Sequence, residues 1–163
     1  SDGTIYVSDH GNNRTQKFTS EGAFVSQWGT EGTGDGEFQE PEGVAVASDG
    51  SVYVVDALNN RIQRFTSEGA FVSQWGTEGT GDGEFSWPLG VSVASDGSVY
   101  VADFSNHRVQ KFTSEGVFVS LWGTEGAGDG YFRQARAVAV ASDGSVYVAD
   151  YSNNRIQKFL PGP

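Results

Sequence analysis

The chain has 163 residues, no cysteine, and a formal net charge of −11 from 10 Lys and Arg against 21 Asp and Glu. That balance disfavours nucleic acid and anionic membrane surfaces unless a local basic patch intervenes, and the lack of thiols excludes a disulfide framework, a thiolate nucleophile and a cysteine-based zinc site. With 23 glycines and 13% aromatic residues, and apolar runs no longer than about eight residues, the composition excludes a transmembrane helix and points to β structure with many tight turns.

Self-similarity dominates the chain. Ser-Asp-Gly opens at Ser1, Ser48, Ser95 and Ser142, a period of 47 residues. The segment from Phe18 to Phe38 is identical to that from Phe65 to Phe85, including Gln27 and Gln74, which no fold would demand. Duplication or deliberate design accounts for this better than structural necessity.

Within the second repeat four strand signals follow one another: A, Gly43 to Ala47; B, Ser51 to Val55; C, Arg61 to Phe65; and D, Ala70 to Trp75. Asp49-Gly50 marks an A–B hairpin because both positions tolerate positive φ. Thr66-Ser67-Glu68-Gly69 marks a slightly longer C–D turn. No stretch keeps a helical period. Strand B is apolar on both faces, with Val52 and Val54 against Tyr53 and Val55, as a small sheet wedged between two similar sheets must be. Strand A carries only Val, Ala, Ser and Gly, which suits crowding around an axis. The pattern predicts an all-β fold, a β-propeller of four-stranded antiparallel blades with A innermost and D at the rim. About three and a half repeats are present: a partial blade at 1–38 (strands B, C, D), blades at 39–85 and 86–132, and a partial blade at 133–163 (strands A, B, C). A ring closed within this chain would have a defect at its seam, so either a longer parent propeller or other copies of the chain are expected to complete it.

The run from Pro41, PEGVAVASDGSVYVVDALNNRIQRF, resembles the NHL repeat, and the pattern recurs as Gly90 to Phe112 and, with Ala137 in place of the opening Gly, as Ala137 to Phe159. Gly-Val-x-Val, Val-Tyr-Val-x-Asp and Asn-Asn-Arg-[Ile/Val]-Gln-[Lys/Arg]-Phe occur together at fixed spacing. The resemblance covers essentially the whole chain and implies a propeller; some members of the family are lyases with a histidine-held metal, and some bind RNA.

Asp9, Asp56, Asp103 and Asp150 each precede an arginine by five residues (Arg14, Arg61, Arg108, Arg155). A catalytic pair would not be copied into every blade, so these are read as structural: Asp holding the B–C loop, Arg bridging to it or to the next blade. The Asn pairs at 12–13, 59–60 and 153–154 are read as turn formers. The Gly-rich run from Gly76 to Phe85 contains Glu78, Asp82 and Glu84, but its spacing matches neither an EF-hand loop nor a nonapeptide calcium repeat, and it is read as a D–A crossover. His10 and His107 are too few for a metal site drawn from several blades, and no cofactor is expected.

Differences between repeats cluster just after strand B and just before strand A. In a meander, the B–C and D–A loops share one end of the blade, so the variation maps to one face. Loops on a rigid scaffold are where binding residues concentrate. The predicted ligand-binding face comprises His10, Glu40, Glu42, Leu58, Trp87, Leu89, Phe104, His107, Arg133, Arg136 and Tyr151. The leading expectation is a non-enzymatic scaffold for a protein, peptide or glycan; self-assembly into rings or filaments comes next, then a metal-dependent lyase. RNA binding would have to rest on Arg133 and Arg136 against the net acidity. Neither nucleic acid nor membrane is an expected partner, and an extracellular or cell-surface setting is expected.

Overall fold

Each repeat folds into one antiparallel meander. In the computed structural model, which describes residues 3–160, the first blade contains β1 (Ile5–Asp9), β2 (Arg14–Phe18) and β3 (Phe24–Trp28). The second contains β4 (Pro41–Val46), β5 (Val52–Asp56), β6 (Arg61–Phe65) and β7 (Phe71–Trp75), and the third β8 (Pro88–Val93), β9 (Val99–Asp103), β10 (Arg108–Phe112) and β11 (Phe118–Trp122). The last contains β12 (Ala135–Val140), β13 (Val146–Asp150) and β14 (Arg155–Phe159). Strand order within each sheet follows the chain. The helical content among the described residues is two single 3-10 turns, His10–Asn12 and Tyr151–Asn153.

The predicted inner strand started at Gly43; the observed one starts at Pro41. A bulge explains the difference, because Pro41 pairs with Asp56 and Val44 with Val54, so that Glu42 and Gly43 stand opposite Val55 alone and the inner strand carries one extra residue. Proline is tolerated there as the first residue of the strand. Strand B likewise runs one residue later than predicted, ending on the aspartate itself.

Around the axis the inner strands approach backbone to backbone. A Cβ on Gly43 would lie 2.7 Å from the Leu89 carbonyl oxygen, and one on Gly90 would lie 2.8 Å from the Ala137 Cα. Glycine is therefore required wherever a further inner strand follows.

The core is not one mass but a series of seams between consecutive sheets. Tyr53, Val55 and Ile62 of the second blade pack on Val99, Val101 and Phe112 of the third; Tyr100, Ala102 and Val109 pack in turn on Val146 and Val148; Val52, Val54 and Phe65 receive Tyr6 and Trp28 from the first. Thus one face of each strand B looks back and the other looks forward, which is why neither is polar. At the rim each strand-D tryptophan leans on the next blade, with Trp28–Phe65, Trp75–Phe112 and Trp122–Phe159 ring centroids 5.8, 5.8 and 5.7 Å apart. Gly69 and Gly116, at φ +86°, make room for this: a Cβ there would lie 2.6 and 2.5 Å from Trp28 and Trp75.

Candidate functional site

At the end of the blades where the B–C and D–A loops meet, the fold is held by a latch that recurs from blade to blade. Asp56 is buried; one carboxylate oxygen accepts the Gln39 amide at 2.7 Å, and the other accepts Nε of Arg61 at 2.7 Å, Nδ2 of Asn59 at 2.9 Å and Nε2 of Gln63 at 3.0 Å. Arg61 then donates to the carbonyl oxygens of Thr33, Gly34 and Glu37 in the preceding crossover at 2.8, 2.8 and 3.0 Å. Asp103 and Arg108 repeat the arrangement on Ser86 and on the Thr80, Gly81 and Glu84 carbonyls. The structural reading of the Asp–Arg pairs holds in that the arginine bonds the carboxylate, but the carboxylate also fixes the residue two positions before strand A, and the arginine reaches back to the preceding blade's crossover rather than forward.

Burial raises the pKa of Asp150, but hydrogen bonds from Asn153, Arg155, the Arg133 amide and Gln157 outweigh it, and the carboxyl is held below its ordinary value. Asp9 is lowered chiefly by the hydrogen bond from Arg14.

The Asn pairs are more than turn formers. Asn59 and Asn153, each the first of its pair, and Asn106, which takes the same place before His107, donate Nδ2 to a carbonyl of the preceding crossover (Gly32, Gly126 and Gly79) at 2.8–2.9 Å, whereas Nδ2 of Asn12 donates to Asp9. The second reaches forward: Oδ1 of Asn13 accepts the Glu40 amide at 2.9 Å and Oδ1 of Asn60 accepts the Trp87 amide at 2.8 Å. His107 occupies the same position in the third blade, and its Nδ1 accepts the Gln134 amide at 2.9 Å. All three sit in the left-handed region, at φ +51°, +51° and +55°, where Asn is the best-tolerated side chain after Gly. His107, predicted as a ligand contact, thus has a scaffold role through Nδ1.

The residues held by these bonds, Glu40, Trp87 and Gln134, are themselves left-handed at φ +53°, +51° and +66°. Each such conformation costs about 1–2 kcal/mol, offset by the amide anchored from the neighbouring blade. Trp87 is exposed, and its ring meets Phe104 edge-on at 6.1 Å between centroids; Phe104 in turn tilts against Tyr151 at 6.2 Å. The Arg136 guanidinium lies 5.1 Å from the centre of the Tyr151 ring. Four predicted residues from the third and last blades thus form one continuous aromatic and cationic run. A second group lies on the first two blades, where His10 Nδ1 is 3.3 Å from Glu42. Leu58, Arg133 and Tyr151 are exposed and Glu40 is half-buried. Leu89 departs from expectation: it is buried in the seam with Ala57 and Val91, and Phe104 packs against that cluster.

Glu42, Leu89 and Arg136 occupy equivalent positions on successive inner strands and line an axial groove of about 330 Å³. A larger space of about 790 Å³ opens at the opposite end, between Tyr6, Lys17, Val46, Asp49 and Glu68. The equivalent space between the third and last blades, where Ala94 of an inner-strand end contributes to the wall, measures about 280 Å³. The larger volume therefore reflects the inner neighbour that β1 lacks among the described residues. Among those residues no group of three or more His, Asp or Glu is arranged to hold a metal ion. In the crossovers, Glu37 and Glu84 instead accept the Gly34 and Gly81 amides at 2.8 Å.

Antiparallel meanders stacked face to face about a line of inner strands define a section of a β-propeller. The NHL-repeat profile matches residues 38–65, 85–112 and 132–159, and the chain belongs to the NHL-repeat family. No curated protein matches it by sequence. Among solved structures it is similar to streptogramin B lyase (15% identity, 100% of this chain and 53% of that chain, TM-score 0.71). It is also similar to virginiamycin B lyase from Staphylococcus aureus (16%, 98% and 53%, 0.67), and to the WD40 β-propeller domain of Doa1 (12%, 97% and 47%, 0.68). The chain spans about half the length of these structures, and at such identities the likeness is one of fold.

Proposed function

We propose that the chain is a non-enzymatic binding scaffold whose B–C and D–A loop face engages a protein, peptide or glycan. The observation that carries this is the run Trp87–Phe104–Tyr151–Arg136: it crosses two blades, it is built where the repeats differ, and the turns at the opposite end hardly vary. Aromatic side chains offer large contact area at low rotamer cost, which suits them as anchors. The lyases among the structural neighbours do not favour catalysis here, because one of the two histidines is committed through Nδ1 to the Gln134 amide.

The test is a screen of the purified chain against a defined peptide library and a glycan array, repeated with Trp87→Ala/Tyr151→Ala and with Glu68→Ala. The expected result is a ligand captured by wild type and by Glu68→Ala and lost by the aromatic double variant, whose β-sheet circular dichroism is unchanged. Absence of any wild-type ligand on either array overturns the reading; survival of binding in the double variant with loss in Glu68→Ala overturns the face assignment.

A further inference from the structure

The first and last sheets expose faces whose equivalents are buried wherever two blades meet. On the last blade Ile156 is 64% exposed and Tyr147 37%, while their counterparts Ile62 and Tyr53 are 0% and 1% exposed. On the first, Ile5 and Val7 are each 42% exposed, while Val52 and Val54 are 0%. These are not two arbitrary greasy patches. Within the chain, the forward face of a blade (Tyr53, Val55, Ile62) packs on the backward face of the next (Val99, Val101, Phe112). The exposed face on the last blade is a forward face, and the one on the first is a backward face.

We infer that the two faces dock on each other between two copies of this chain, head to tail, and that two copies close a ring with two identical seams. The internal seams show what the contact would contain. Tyr6 and Tyr53 donate their hydroxyls to the Ser67 and Ser114 carbonyls of the next blade, each at 3.1 Å, and Lys17 reaches the Ser67 carbonyl at 2.9 Å. By the same register, Tyr147 and Lys158 would donate to the Ser20 carbonyl of the second copy, with Ile156 covered by its Val7 and Phe18.

Two observations favour a second copy closing a ring. The first is curvature: this chain superposes along 97% of its length on 47% of a WD40 propeller domain, so it follows about half of a full turn, and a head-to-tail contact whose rotation completes the turn gives a closed ring rather than a fibre. The second is Ala137. It stands where Gly43 and Gly90 stand in the preceding inner strands, and those glycines are required by the inner strand of the following blade, less than 3 Å from where a Cβ would be. A further repeat with its own inner strand would collide with the Ala137 methyl group. The sheet that a second copy would set against Ala137 is the one formed by β1, β2 and β3, which among the described residues has no inner strand to meet the methyl group. Among the described residues no crossover follows β14 for Arg14 to grip, so the contact rests on the side-chain faces.

The experiment is sedimentation equilibrium on the full chain, wild type and two variants, Val7→Asp and Ile156→Asp. Both positions are exposed in the single chain, so both variants should keep the β-sheet spectrum. Wild type is expected at twice 17.4 kDa, and each variant is expected to self-associate about 100-fold more weakly. An equimolar mixture of the two variants should recover dimer, because the Ile156 face of one and the Val7 face of the other remain intact. Monomeric wild type, open-ended larger species, variants that still dimerise, or a mixture that recovers nothing would each overturn the inference.

Discussion

The two ends of each blade are built from the same repeat and solve different problems. At the turn end, the A–B and C–D loops are almost invariant from repeat to repeat, and packing is steric: a tryptophan of one blade fills the space left by a glycine of the next. At the loop end, sequence varies, yet the backbone is fixed by Asp, Asn and Arg side chains that pass hydrogen bonds from blade to blade. The variable end can drift in its outward side chains because its backbone is held from behind by residues that do not drift. Variation and rigidity coexist there because they reside in different atoms.

The most damaging way to break this division is at the latch. Asp103→Ala leaves Arg108 buried without its carboxylate and frees the Ser86 amide; the expected loss is about 3–5 kcal/mol in urea unfolding, whereas Asp9→Ala, at the exposed first blade, should shift the midpoint far less. At the turn end, Gly116→Ala should cost more than Gly22→Ala. Both glycines are at positive φ, worth about 1–2 kcal/mol, but only Gly116 faces a tryptophan, while the space around Gly22 is open. Equal losses would mean that the tryptophans give way and the turn end is not sterically set.

A smaller effect separates the scaffold duty of His107 from any binding duty. His107→Ala should cost about 1 kcal/mol by orphaning the Gln134 amide, while His107→Asn, which restores the acceptor used in the other blades, should lie within about 0.5 kcal/mol of wild type. The smallest effect is expected on acidification. Asp150 and Asp9 titrate below the ordinary 3.8 in the folded chain, so their contribution is fully present above that value and is lost as pH falls through the lowered folded values. Urea midpoints followed downward from about pH 5 should decline most steeply below about pH 4, and Asp150→Asn should flatten the decline.

Much of this architecture could be read from the sequence because the repeat supplies its own controls. Two-faced apolar patterning in Val52–Val55 signalled sheets on both sides, and glycine in strand A signalled the crowded axis. The bulge at Pro41 was not legible, since alternation reports which face a residue takes and not where an extra residue is absorbed. The direction of Arg61 was missed because its acceptors are backbone carbonyls some 24–28 residues away, with no side-chain signature. His107 was legible in principle: aligned with Asn13 and Asn60, it occupies a position whose task is to accept an amide in the left-handed region. Leu89 misled because its counterparts Glu42 and Arg136 are polar; burial there depends on the neighbouring blades, which flank it on both sides and leave Arg136 exposed.

The bonds that Asn13, Asn60 and His107 accept from the next blade's amide span a constant 27 residues, and the Tyr6 and Tyr53 hydroxyls likewise reach only the next blade, so each blade is tied to its immediate neighbours. A chain wired in this way has the energetics of a one-dimensional lattice, in which each unit carries an intrinsic term and a coupling to the unit on either side. Opening should begin at the two three-stranded ends, which have a single coupling each within the chain, and move inward. Amide exchange should therefore be graded along the chain, fastest in β1 and β14 and slowest in β5 and β9.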